Sequence, residues 1–158
     1  MNKKIFVVAL LTFIVDQISK IVIEKILIVN KSVIVLKNFF SLTLVYNKGA
    51  AWGLFSNNRL LLILITLIAL ILIVSFLKSF KKNTRNNIAF GLLLGGMSGN
   101  LIDRIIYGHV RDFLDFTIVK YDYPVFNIGD IAIVISIILL AYAILKGEDS
   151  DGNTSERE

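Results

Sequence analysis

The feature that most constrains this chain is an uncharged run of eighteen residues, Leu60 to Leu77. As a helix, at about 1.5 Å per residue, it nearly crosses the roughly 30 Å hydrocarbon core of a bilayer. Three more apolar stretches follow the same pattern: Ile5 to Ile23, Ile88 to about Ile106, and about Phe126 to Leu145. Of the 158 residues 56% are hydrophobic and 18% charged, an excess that predicts an integral membrane protein. Unlike Leu60 to Leu77, the other three stretches carry polar groups that lipid cannot satisfy. These are Asp16, Gln17, Ser19 and Lys20 in the first, Asn100, Asp103 and Arg104 in the third, and Asn127 and Asp130 in the fourth. They must face one another or water.

Charge predicts the orientation. The link between the second and third stretches packs Lys78, Lys81, Lys82 and Arg85 into eight positions, and Lys3 and Lys4 precede the first. Basic residues collect on the cytoplasmic side, so both termini and this link are expected there. The first link also holds Lys25, Lys31, Lys37, Lys48 and Arg59, but spread over some 35 residues, so density decides. The N-terminal stretch resembles a secretory signal peptide. It lacks a small-residue cleavage site and stays apolar beyond Lys20, which reads as a retained anchor. The net charge of +5 hides five acids and one base in Gly147–Glu158. A basic balance on so apolar a chain points to anionic lipid headgroups, and no nucleic-acid motif is present.

The expected fold is an all-α membrane protein: four transmembrane helices, at about 5–23, 60–77, 88–106 and 126–145, in one domain, 1–146. The long first link, about 24–59, contains β-rich Val33 to Leu36 and Ser41 to Val45, which predicts a small extracytoplasmic β-sheet in that loop. Phe39, Phe40, Trp52 and Phe55 suit anchors at headgroup level. Residues 147–158 lack apolar periodicity and are expected to form a disordered acidic cytoplasmic tail.

With this orientation the polar groups converge. Asn100 and Arg104 share a face high in the third helix, and Asp130 lies about one turn below the outer boundary on the fourth. Asp112 follows the third helix at the same surface. Asp16 and Lys20, at i, i+4, lie near or above mid-depth on the first. A buried unpaired charge costs several kcal/mol, so partners are required. Asp103 and Arg104 are adjacent and point apart. The glycines around Met97 and Ser98 allow close helix approach near Asn100.

Two carboxylates at one depth, Asp112 and Asp130, suggest aspartyl hydrolysis. Two close carboxyls do not both ionise cheaply, so one activates water while the other donates a proton. The chain has no Cys and one His, His109. That excludes a thiol nucleophile and a multi-His zinc site, and neither a metal nor a cofactor is expected. Each group also has a structural reading. Asp112 and Asp130 would serve as interfacial or capping acids, Asn100 and Arg104 as interhelical glue, and Asp16 with Lys20 as an ion pair. Asn47-Lys48-Gly49 reads as a turn, His109 as a loop residue, and Asp115 and Asp122 as solvated loop acids.

Five segments in order resemble the motifs of lipoprotein signal peptidase (signal peptidase II), a bacterial family of aspartyl membrane proteases. They are Asp16-Gln17-Ile18-Ser19-Lys20; Asn47-Lys48-Gly49-Ala50-Ala51-Trp52-Gly53; Gly99-Asn100-Leu101-Ile102-Asp103-Arg104; Val110-Arg111-Asp112-Phe113; and Phe126-Asn127-Ile128-Gly129-Asp130. Singly each is weak; in this order over all four stretches they are specific. The resemblance implies Asp112 and Asp130 as the catalytic dyad. It implies Asn47, Gly49, Asn100, Arg104 and Asn127 as residues lining or shaping the site, with Asp16 and Lys20 supporting it. It also implies the substrate, a prolipoprotein whose Cys carries diacylglyceryl, cut just before that Cys at the extracytoplasmic side of the bacterial inner membrane. Two positions depart from the family pattern: Gly129 stands where Ala is usual, and Arg111 where a small apolar residue is frequent. The alternative from another class is a small proton- or cation-coupled transporter using Asp16, Lys20 and Asp130 as a relay.

Overall fold

The computed structural model describes residues 2–50, 54–56, 58–119 and 121–149. Its helices are α1 (Lys3–Ile26), α2 (Arg59–Phe76), α3 (Thr84–Tyr107) and α4 (Ile128–Leu145). Its strands are β1 (Ser32–Leu36), β2 (Phe40–Asn47), β3 (Val110–Ile118) and β4 (Tyr121–Asp122). Every helix starts behind an asparagine. The side chains of Asn2, Asn58, Asn83 and Asn127 accept from the backbone N–H of Lys4, Leu61, Asn86 and Asp130. A short uncharged acceptor satisfies one of the donors that a first turn leaves open. Helix α3 stops at Gly108, whose φ of 78° is the left-handed conformation glycine adopts most readily, and its N–H bonds to the Arg104 carbonyl.

Helices α1, α2 and α4 are long and apolar enough to cross a membrane. Helix α3, with 24 residues, matches them in length but carries glycines and asparagines in place of leucines. It packs against both α1 and α4 and has by far the most buried residues of the four. A helix screened by its neighbours needs less apolar surface of its own. Added Cβ atoms at Gly91, Gly95 and Gly99 would collide with Val8, the Ala9 carbonyl and the Asp16 carboxylate; one at Gly96 would collide with the Gly129 carbonyl. The small residues therefore let three backbones approach closely. In α2 only Leu62 is buried, and the helix is apolar all round.

The strands form one antiparallel sheet in the order β1-β2-β3-β4. Leu44 and Phe113 pack from it onto Ile23 of α1, with Ile128 of α4 beside them, which ties the sheet to the helix ends. Two corrections to the expected architecture follow. The sheet does not belong to the first link alone: half its strands come from residues 110–122, read from sequence as loop. Strand β3 is hard to see because Arg111, Asp112 and Asp115 interrupt its apolar pattern. The acidic tail does not leave the fold at Gly147. The Glu148 carboxylate accepts from Asn83, Arg85 and Asn86, and its carbonyl accepts from Lys81 N–H at 2.8 Å. Positions 150–158, and Trp52 with its neighbours Ala51 and Gly53, lie outside the described residues.

Candidate active site

Asp130 occupies the first turn of α4, where it and Asn127 form a reciprocal cap. The Asp130 N–H donates to Asn127 Oδ1 at 3.0 Å, and the Asn127 N–H donates to Asp130 Oδ2 at 3.1 Å. The Asn127 side chain also reaches β3, where its Nδ2 donates to Asp112 Oδ1 at 2.6 Å. One asparagine thus orients both carboxyls. The remaining oxygens have one donor each: Asn47 Nδ2 to Asp112 Oδ2 at 2.9 Å, and Asn100 Nδ2 to Asp130 Oδ1 at 2.8 Å. Asn47 is delivered by the β2–β3 register, which sets Val45 opposite Asp112 and Asn47 opposite Val110. All four donors are neutral amides.

The amides are themselves held. Lys20 Nζ donates to Asn100 Oδ1 at 2.9 Å, which turns the Asn100 Nδ2 toward Asp130. Lys20 also pairs with Asp16 at 2.7 Å and lies 3.4 Å from Asp103, all three fully buried. Asp16 in turn accepts from the Gly129 N–H at 2.8 Å, so α1 positions the start of α4. The Gly49 N–H donates to Asn47 Oδ1 at 2.9 Å, and its carbonyl accepts from Arg104 Nη2 at 2.9 Å.

Asn47, Gly49, Asn100, Arg104, Asp112 and Asp130 line one cavity of about 560 Å³, closed on another side by Tyr123 to Phe126. Asn127, Asp16 and Lys20 stand behind it. Asp112 is 2% exposed. Burial, and next the charge of Asp130, push its pKa up to about 6 against the opposing hydrogen bonds from Asn47 and Asn127. A carboxyl with that pKa exchanges its proton near neutral pH, as general acid–base chemistry requires. A deep cavity with two convergent carboxyls is also the usual form of a small active site.

Sequence reasoning overlooked a second cluster behind the first. Arg111 is 1% exposed, and its guanidinium donates to Asp103 at 2.7 and 3.2 Å, to Glu24 at 3.1 Å and to Gln17 at 3.0 Å. The Arg111 N–H donates to Asp103 as well, at 3.1 Å. Arg111 therefore ties the start of β3 to α1 and α3, one residue from Asp112. The usable signal was a charge inside the apolar frame of Val110 and Phe113, since a buried arginine demands acids. Asp115 is not a loop acid: it lies on β3 and accepts from Thr43 Oγ1 at 2.6 Å. Asp122 is exposed on β4. His109 packs its ring 4.1 Å from that of Tyr46 and is not among the residues lining the cavity.

Known proteins resemble this chain in sequence and in fold. The family described as "Signal peptidase (SPase) II" matches residues 8–146. The lipoprotein signal peptidase of Staphylococcus aureus strain JH9 is 38% identical, the alignment covering 100% of this chain and 99% of that protein; that of strain Newman gives the same values. A bacterial membrane enzyme solved in meso at 2.3 Å superposes with a TM-score of 0.81 and 37% identity, over 98% of this chain and 93% of its own. A second, at 1.9 Å, gives 0.79 and 37%, over 90% and 92%. In family and in fold, the chain belongs to signal peptidase II.

Proposed function

We propose that this protein is an aspartic endopeptidase of the bacterial inner membrane that removes signal peptides from diacylglyceryl-modified prolipoproteins, cutting just before the lipidated Cys. The observation that carries the proposal is the pair Asp112 and Asp130, facing one cavity and held, among the described residues, only by neutral amide donors. In this reading the ionised carboxylate takes a proton from water, and the resulting hydroxide attacks the scissile carbonyl carbon. The protonated carboxyl donates to the carbonyl oxygen. Collapse of the tetrahedral intermediate breaks the C–N bond as a proton passes to the leaving nitrogen, giving a carboxylate on the signal peptide and a free amine on the lipidated Cys. Asn127, Asn47 and Asn100 hold the two carboxyls in register through both steps.

All four helices cross the bilayer in this reading, α3 as the protein-screened one. The basic α2–α3 link is cytoplasmic, as are both termini, and the sheet with the cavity beside it lies at the extracytoplasmic surface, where exported substrates arrive. The test is cleavage of a diacylglyceryl prolipoprotein by purified protein. Asp112→Asn and Asp130→Asn should each lower turnover by about 10³-fold or more while cooperative unfolding is retained. Near wild-type turnover in either variant removes that residue from the mechanism.

A further inference from the structure

A second cavity, of about 490 Å³, lies at the other end of the bundle, between the start of α1, the end of α2 and the start of α3. Along α3 it is separated from the candidate active site by the thirteen residues from Asn87 to Asn100, or about 20 Å. Its wall is apolar, with Ile5, Phe80 and Phe90, and its rim carries Lys78, Lys81 and Lys82. The lysines are exposed, and among the described residues none is within salt-bridge distance of an acid. Arg85 nearby differs, because it is paired with Glu148.

Inside the cavity one polar group has its donor unused. Asn87 is 8% exposed. Asn2 accepts from the Lys4 N–H through its Oδ1, so its Nδ2 is the donor that meets Asn87 Oδ1 at 3.3 Å. That fixes the Asn87 amide: its Nδ2 makes no hydrogen bond among the described residues, although the side chain lines the cavity. That donor is open to a ligand, and among the described residues the lysines around it are paired with no acid. A ligand matching both needs anionic oxygens at one end and an apolar body at the other.

We propose that this cavity binds the phosphate group of an anionic glycerophospholipid, with Asn87 and the lysines on the phosphate and an acyl chain along Ile5, Phe80 and Phe90. The proposal rests on the membrane-crossing reading above and not on the peptidase chemistry. The test uses the full-length protein in neutral detergent, with retained lipid read by native mass spectrometry and cleavage assayed in parallel. Short-chain phosphatidylglycerol should be retained about tenfold better than phosphatidylcholine of the same chain length. A Lys81→Gln/Lys82→Gln double variant should lose most of that preference. So should Asn87→Asp, which keeps the acceptor for Asn2 and removes the free donor, and Asn87→Ala serves as a second variant. All should still cleave substrate.

Equal retention of the two lipids overturns the proposal. So does an effect of the lysines without one at Asn87, which marks diffuse surface attraction. Inorganic phosphate displacing the lipid at equal concentration shows a free-anion site and removes the lipid. Failure of wild-type cleavage with lipid preference intact counts against the peptidase reading alone.

Discussion

Asp112 and Asp130 lie a few side chains away from Asp16 and Asp103, yet the two pairs are held by chemically different partners. Asp16 and Asp103 are bonded to Lys20 and Arg111, cations that are as deeply buried as they are. Asp112 and Asp130 are bonded to Asn47, Asn100 and Asn127, which supply dipoles and no charge. A buried ion pair fixes geometry, and removing one partner leaves an uncompensated charge. A carboxyl held by amides keeps its orientation with no cation fixing its charge, and at Asp112 burial and then the charge of Asp130 push the pKa up to about 6. The same residue type therefore serves as a structural tie in one layer and as a titrating group in the next.

The sharpest way to break this contrast is to neutralise one acid in each layer. Asp112→Asn should abolish cleavage while the protein still folds, because Asn has no ionisable group and keeps a carbonyl oxygen for only one of the two amide donors, the lost bond costing about 1–3 kcal/mol. Asp103→Asn should lower the melting temperature first, with activity falling because β3 loses its tie to α3. If the two variants exchange these phenotypes, the assignment of roles is reversed.

Next in size is Lys20→Met. It keeps an unbranched chain of similar length but strips the cation from Asp16 and Asp103 and from Asn100 at once. A loss of about 3–5 kcal/mol is expected in thermal or denaturant unfolding. A melting temperature within a degree or two of wild type would show that Arg111 suffices for the whole cluster.

The pH dependence tests the amide-held layer. The folded state raises the Asp112 pKa from 3.8 to about 6. It therefore keeps a proton there that the unfolded chain releases. The stability that this contributes is complete below the unfolded value and is lost as pH rises through about 6, for a total of about 3 kcal/mol at ~1.4 kcal/mol per unit. The melting temperature of the wild type should fall between pH 4 and 7, and Asp112→Asn should lack that slope. Asp130→Asn removes the second-largest cause, so titration of Asp112, followed by its carboxyl infrared band, should move to lower pH. An unchanged midpoint would mean that the two carboxyls do not sense each other.

The smallest effect is expected at Asp115, which shares β3 with Asp112 but faces Thr43. Asp115→Asn keeps an acceptor for that hydroxyl, so stability should change by less than about 1 kcal/mol and turnover should remain close to wild type. Complete loss of cleavage would make Asp115 the functional acid on this strand.

What could be read from the sequence follows from short-range rules. Helices α1, α2 and α4 announce themselves through apolar length, whereas the asparagine caps came to light only in the structure. The nine candidate residues came from motif order, and the structure gathers them around one cavity and the layer behind it. Strand β3 was missed because its polar residues answer to partners far away in sequence. Arg111 satisfies Asp103, Glu24 and Gln17, and Asp112 satisfies Asn47 and Asn127, so no local alternation survives to mark the strand. Glu148 was assigned to a free tail for the same reason, its partners lying more than sixty residues back at Asn83, Arg85 and Asn86.

Thus the sequence by itself determined which segments are apolar enough for a bilayer and which acids are the candidates. Only the tertiary structure decided which acids meet amides and which meet cations. That choice depends on close approach of α1, α3 and α4 across glycines and on the β2–β3 register. Both are contacts between residues distant in the chain, whose energies no local pattern records.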